Sequence, residues 1–187
     1  MSDHDELRER RIGGERIYDG KILTLDRDRV RLPDGSESVR EVVRHPGAVV
    51  MLPVHQDGSV ALVRQHRYPT GEVLLELPAG KLDVPGEPPE ECARRELAEE
   101  TGLAAGRLEP LGSFFTSPGF CDEILYAYLA TDLCAAGEET APDSDEHLAP
   151  ETVRGADLRR LVADGTIRDA KTLATLLLAA VHGRLQL

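Results

Sequence analysis

Cysteine and long apolar runs are scarce in this chain of 187 residues, and each scarcity excludes something. The three cysteines, Cys92, Cys121 and Cys134, are too few and too scattered for a disulfide framework or a zinc knuckle. We read them as reduced thiols. Tryptophan is absent. The longest apolar stretches, Gly47 to Val54 and Leu173 to Val181, are too short to cross a bilayer. Positive charge is in deficit, with a formal net charge of -12. So acidic a chain repels phosphate backbones at long range, and no nucleic-acid partner is expected. A small phosphorylated ligand is not excluded, because a bound divalent cation inverts the local sign. Only three lysines accompany nineteen arginines, and no function follows from that. The opening Met1 to Arg11 is charged throughout and matches neither a signal peptide nor a lipid anchor. A cytoplasmic protein with no membrane partner is expected.

What is present reads as one domain with a well-buried core. Residues 1–14 are charged and lack periodicity, which predicts a flexible segment. Residues 15–45 are expected to hold an N-terminal pair of antiparallel strands, Ile22 to Leu32 and Val39 to Arg44, joined at Pro33-Asp34-Gly35. Residues 46–187 form the remaining body. Ala48 to Val54 is continuously apolar and suits a strand buried on both faces. Val60 to Arg64 and Val73 to Leu77 follow as strands, and Pro78 stops the second. Pro88 to Thr101 has helical spacing, with prolines suited to its first turn and Gly102 to its C-terminal cap. Leu108 to Phe115 and Ile124 to Leu129 read as strands. Ala135 to Pro150 is polar and acidic and reads as a loop. Two helices close the chain, Ala156 to Ala163 and Ala170 to His182. This pattern predicts an α/β (α+β) architecture, a mixed sheet with helices packed on it.

The chemistry concentrates between Gly80 and Leu103. On a helix, residues three and four apart share a face, so Glu96, Glu99 and Glu100 cluster. Three carboxylates on one turn repel each other. A hard cation such as magnesium relieves that repulsion, because it takes oxygen ligands and leaves positions for water and phosphate. Arg95 is placed to tie back one carboxylate. Gly80 lets the backbone turn sharply before the helix. Taken alone, the acids also fit a solvated helix supported by a Glu91–Arg95 pair.

The glycines at both ends and the Arg95-Glu96 core add a second layer. Gly80, Glu87, Arg95-Glu96-Leu97, Glu99-Glu100 and Gly102-Leu103 together resemble the Nudix box. The departure is one extra residue: six separate Gly80 from Glu87, around Val84-Pro85. The helical half is in register. The resemblance extends from about Tyr18 to His182 and is similar to the ADP-ribose pyrophosphatase branch of the Nudix hydrolases. It rests on His45-Pro46-Gly47-Ala48-Val49, on Gln65-His66-Arg67, and on Leu75-Glu76-Leu77-Pro78-Ala79-Gly80. It rests further on Ser117-Pro118-Gly119-Phe120, on Asp143-Ser144-Asp145-Glu146, and on Ile167-Arg168-Asp169-Ala170-Lys171-Thr172. The stretch His147-Leu148-Ala149-Pro150 is less strand-like than is usual there, and no tryptophan is available to stack on an adenine.

The resemblance implies a Nudix fold, a mixed β-sheet sandwiched between helices and preceded by N-terminal antiparallel strands. It implies metal-dependent hydrolysis of the pyrophosphate bond of ADP-ribose to AMP and ribose 5-phosphate. Alternatives are hydrolysis of another nucleoside diphosphate compound, or a non-catalytic nucleotide-binding regulator on the same fold. Magnesium is the implied cofactor, with manganese or another divalent cation as substitutes. Glu96 and Glu100 are implied metal ligands, with the Ala79 carbonyl, and Glu99 is a further ligand or a water activator. Glu146 is the implied general base, or else a solvated loop acid. Arg67 is implied to bind substrate phosphate, or else forms a surface ion pair. Lys81 and Ser117 join the implied substrate contacts. Arg40 and Glu41 reach a base or ribose across a dimer, or are paired strand residues. Tyr18, Tyr68 and Phe120 are stacking candidates, Cys92 is expected in the core, and His45 and His66 are expected to be structural. A homodimer through the N-terminal strands is also implied.

Overall fold

The computed structural model describes residues 4–137 and 147–186. The chain divides into two compact units, residues 1–47 with 115–123, and residues 48–114 with 124–187.

The first unit is a three-stranded antiparallel sheet of β1 (Arg10–Asp19), β2 (Thr24–Arg31) and β3 (Glu37–Arg44), in the order β1-β2-β3. The strand is already formed at Arg10, so the flexible segment expected through residue 14 is corrected, and three strands stand where a pair was expected. The cause is charge pairing that an apolar periodicity does not display. Asp28, buried in the middle of β2, accepts from Arg11 Nε at 2.7 Å and from Arg44 Nη2 at 3.2 Å. Asp26 accepts from Arg16 Nε and, at 3.2 Å, from Arg44 Nε. Charge thus pins β1 and β3 to β2. Gly14 faces Asp28 across the ladder, and a Cβ there would overlap both the Asp28 carboxylate and the Arg27 carbonyl.

The second unit holds two sheets. One is mixed, in the order β7-β4-β9-β8, from β4 (Ala48–Pro53), β7 (Ala79–Lys81), β8 (Leu103–Phe115) and β9 (Ile124–Ala135). Strands β4 and β9 run parallel, and β7 runs antiparallel to β4. The other is antiparallel, in the order β10-β5-β6, from β5 (Ser59–Arg67), β6 (Glu72–Glu76) and β10 (Leu148–Arg154). Among the described residues three α-helices accompany them: α1 (Pro89–Thr101), α2 (Leu158–Ala163) and α3 (Ala170–Val181).

Every residue of β4 is buried, as its unbroken apolar run predicts. Ala48, Val50 and Leu52 face one core with Leu125, Ala127, Leu129, Leu176 and Ala179. Val49 and Met51 face the other with Cys92, Ala93 and Leu97 of α1. The mixed sheet therefore lies between α1 and α3. Each buried Val, Leu or Met contributes about 1.5–3 kcal/mol, against ~0–1 kcal/mol for an exposed ion pair, so β4 is the stronger constraint on this unit.

The expected loop Ala135 to Pro150 is corrected at its end. Leu148 to Arg154 is a strand that pairs antiparallel with β5, from Leu148 opposite Gln65 to Arg154 opposite Ser59. It is an edge strand, where Pro150 is tolerated, and Glu151 pairs with Arg64. Residues 138–146 lie outside the described residues, and the implied base Glu146 with them. Sequence reasoning also omits β7 and starts β8 five residues late.

Helix α3 opens on Asp169, whose Oδ2 accepts from the Thr172 amide at 2.9 Å and its hydroxyl at 2.7 Å. The same oxygen receives Lys171 Nζ at 3.0 Å. Burial raises the Asp169 pKa, but the Lys171 charge and the Thr172 hydrogen bonds outweigh it, and the net direction is down. A carboxyl depressed in the folded state stabilises above its unfolded pKa and loses that contribution as pH falls through the folded value. Asp169→Ala should therefore cost about 1–3 kcal/mol at neutral pH. The gap to the parent should shrink below about pH 4. Urea titrations of both proteins at neutral and acid pH measure this, and a gap independent of pH would contradict it.

Candidate active site

Helix α1 starts on Pro88 and Pro89 and stops at Gly102, whose φ of 68° is left-handed and whose N–H donates to the Ala98 carbonyl. Its apolar side, Cys92, Ala93, Leu97 and Ala98, is buried, which turns the polar side carrying Glu96 and Glu99 toward a recess. That recess is about 230 Å³ and is lined by Gly80, Lys81, Asp83, Val84, Arg95, Glu96 and Glu99. The one-residue-longer loop thus contributes its own wall through Val84.

Arg95 organises the acids. Its Nε and Nη2 grip both oxygens of Glu87 at 3.0 and 2.9 Å. Its Nη1 donates to Glu96 Oε1 at 2.8 Å and to Glu99 Oε2 at 3.0 Å. The Glu87 hydrogen bonds raise the Arg95 pKa and hold the Glu87 carboxyl below the usual range. One guanidinium therefore aims three carboxylates.

Two close approaches complete the site. Glu100 is buried, and its Oε2 accepts the Ala79 N–H at 2.9 Å, tying the helix to β7. A Cβ on Gly80 would overlap the Glu96 side chain, so it is space that favours glycine there; the residue lies within strand β7, and the sharp turn expected at it is corrected. Cys92 is no nucleophile. Its thiol is fully buried, donates to the Lys81 carbonyl, and is pushed up to about 12 by burial and by Glu96.

The donors here suit a hard divalent cation. Glu96 and Glu99 share one arginine nitrogen, face the same recess, and offer only oxygen. Among the described residues, no three acidic, histidine or cysteine side chains converge at metal-holding distances. In this arrangement the carboxylates are engaged with Arg95, and small side-chain rotations off Nη1 are what a cation would require.

The other implied residues are distributed. Lys81 lines the recess. Arg67 does not: it grips Glu76, with Nε at 3.0 Å from Oε1 and Nη2 at 2.6 Å from Oε2. Arg40, Glu41 and Ser117 belong to the N-terminal unit. Arg40 is held by Glu9, with Nε–Oε2 at 3.0 Å, and by Ser38 Oγ at 3.0 Å. With Glu9, Glu41, Phe115, Pro118 and Phe120 it borders a second recess of about 500 Å³. Ser117 closes a turn there through its carbonyl, which accepts from Phe120 and Cys121. Of the three stacking candidates, Phe120 lines this recess and Tyr18 and Tyr68 do not. Sequence reasoning quotes Glu76, Asp169 and Lys171 within motifs but assigns them no role, and it passes over Glu9. The signal for Glu76 is an acid enclosed between Leu75 and Leu77.

The NUDIX domain model matches residues 43–176. This chain belongs to the Nudix family. The preceding residues 9–43 match the nucleoside diphosphate sugar hydrolase N-terminal domain. The ADP-ribose pyrophosphatase of Bacillus subtilis (strain 168) is 43% identical over 166 residues, 89% of each chain. That of Mycobacterium tuberculosis (strain ATCC 25618 / H37Rv) is 40% identical over 182 residues, 97% of this chain and 86% of the other. The crystal structure of an ADP compounds hydrolase superposes with a TM-score of 0.82 over 95% of this chain and 97% of that one. At 24% identity it speaks to the fold. The Gly80 to Leu103 segment lies inside the matched domain, and this protein is a Nudix pyrophosphohydrolase.

Gly80→Ala tests the close approach. The added methyl should displace Glu96 and lower kcat at least about tenfold, since small misplacements of site groups are costly. Circular dichroism should stay that of the parent. A folded Gly80→Ala enzyme with parental kcat would mean that Glu96 need not lie against Gly80.

Proposed function

We propose that this Nudix hydrolase uses water to cleave the pyrophosphate bond of ADP-ribose, giving AMP and ribose 5-phosphate. The observation that carries this reading is the recess walled by Gly80, Lys81, Glu96 and Glu99, with Arg95 aiming the acids. The similarity to two ADP-ribose pyrophosphatases over most of the chain supports the substrate. Magnesium is the cation we assign, held by Glu96, Glu99, Glu100 and the Ala79 carbonyl. When bound, it would neutralise charge on the diphosphate and lower the pKa of water. Arg95 keeps Glu96 and Glu99 oriented. Glu146 is our general base, with Glu99 next in line. Arg67 and Lys81 contact the phosphates. Arg40, Glu41 and Phe120 serve the base and ribose, since they border an amphipathic recess with an aromatic wall, and Ser117, next to Pro118 of that wall, joins them.

Pure protein incubated with magnesium should turn over ADP-ribose faster than GDP-mannose or dinucleoside polyphosphates, with AMP identified by chromatography. Glu100→Gln keeps an acceptor for the Ala79 amide but loses its charge, and should cut turnover at least about a hundredfold. Preferred cleavage of another diphosphate would replace the substrate. Parental activity in Glu100→Gln would remove that residue from the site.

We further propose a cytoplasmic homodimer assembled through the N-terminal sheet. Its strand β1 is an edge among the described residues, and Ile17, Tyr18, Ile22 and Val39 are exposed on that unit. No helix among the described residues is long and apolar enough to cross a membrane. Light scattering should give twice the chain mass of 20.4 kDa at micromolar concentration. A mass of one chain would sink the dimer and any cross-subunit role for Arg40.

A further inference from the structure

Glu76 is the most deeply buried acid among the described residues, at the end of β6 between Leu75 and Leu77. A carboxylate so enclosed is tolerated only with charged partners. It has two. Lys171 Nζ reaches Glu76 Oε2, and Arg67 grips both oxygens through its Nε–Nη2 edge. Asp169 takes a second bond from Lys171, so two acids and two bases form a balanced quartet.

Locking β6 to α3 requires only Lys171, and Arg67 is a second cation on the same acid. Its remaining nitrogen, Nη1, makes no hydrogen bond with the described residues, and its side chain is 38% exposed. The inner edge of the guanidinium is therefore fixed and the outer edge is presented. The quartet is also coupled to the acidic helix. Only two residues of chain, Leu77 and Pro78, separate Glu76 from the Ala79 amide that Glu100 binds, and the Glu100 charge acts on Arg67.

We propose that Glu76 is a positioning residue: its buried carboxylate holds the Arg67 guanidinium so that its outer edge meets the substrate diphosphate as a preformed fork. This rests on the diphosphate reading of the site. A fork held in place loses little freedom on binding, and a guanidinium matches phosphate oxygens in pairs where an ammonium does not. Glu76 acts through Arg67 and touches no reacting atom, so its loss shows in binding rather than in the chemical step.

Glu76→Gln, Arg67→Lys and the double variant test this. Calorimetry with chelator present measures the Kd of ADP-ribose without turnover, and steady-state kinetics with magnesium separate KM from kcat. Glu76→Gln should raise Kd and KM about tenfold and leave kcat within about threefold. Arg67→Lys, which keeps the charge and loses the fork, should do the same, and the double variant should be no worse than Arg67→Lys. A purely structural Glu76 would lower the active fraction and kcat with KM unmoved, which overturns the proposal. So does a double variant whose loss is the product of the two singles. Should Glu76→Gln fail to fold, Arg67→Lys decides, and an unchanged Kd and KM there overturns it. If the parent does not hydrolyse ADP-ribose, the proposed substrate falls. The same comparison with inorganic pyrophosphate as ligand still tests the fork.

Discussion

Arg95 is the contact on which the site depends. Glu96, Glu99 and Glu100 stand on one turn of α1, an arrangement whose self-repulsion opposes the helix that carries it. Arg95 answers the repulsion from within the same helix. Its inner edge is anchored on Glu87, ahead of the helix, and its outer nitrogen collects Glu96 and Glu99. Glu96 and Glu99 are thereby drawn to one positive nitrogen and face the same recess. Without the anchor on Glu87, the guanidinium would be free to follow whichever carboxylate moved.

The core makes that arrangement rigid. Alternate residues of β4 are buried against α1 on one face and against α3 on the other. The acidic helix and the Asp169-capped helix are thus referenced to one strand. The backbone that leaves β6, through Leu77 and Ala79, is stitched to both: Leu77 N donates to the buried Thr172 hydroxyl of α3 and Ala79 N to Glu100 of α1. These are buried, satisfied polar contacts, the kind that specify a unique geometry when every member is paired.

Apolar patterning located β4, the central strands and all three helices, because burial is what that patterning encodes. The box placed Glu96, Glu99 and Glu100 on one helix, because helical spacing alone decides which residues share a face. What sequence reasoning missed is held by other forces. Strand β1 is organised by Arg11, Arg16, Asp26 and Asp28, and charge pairing across strands has no periodicity to read. Strand β10 contains Pro150 and is permitted only because its position at a sheet edge leaves an amide to spare. Glu76 is legible only once Arg67, Lys171 and Asp169 are known to surround it, and these come from three separate stretches of chain.

The segment between Gly80 and Glu87 is secured at both ends. Gly80 lies under the Glu96 side chain, and Glu87 is clamped by Arg95. A segment pinned this way can change length without shifting either anchor, since closing a slightly longer loop costs only a fraction of a kcal/mol, about 0.6 for a doubling. The extra residue near Val84 is an instance: it alters the rim of the recess and leaves the acidic helix in register. The rim can therefore change by insertion or deletion while the acidic helix stays as it is, so the two are separately evolvable in this scaffold.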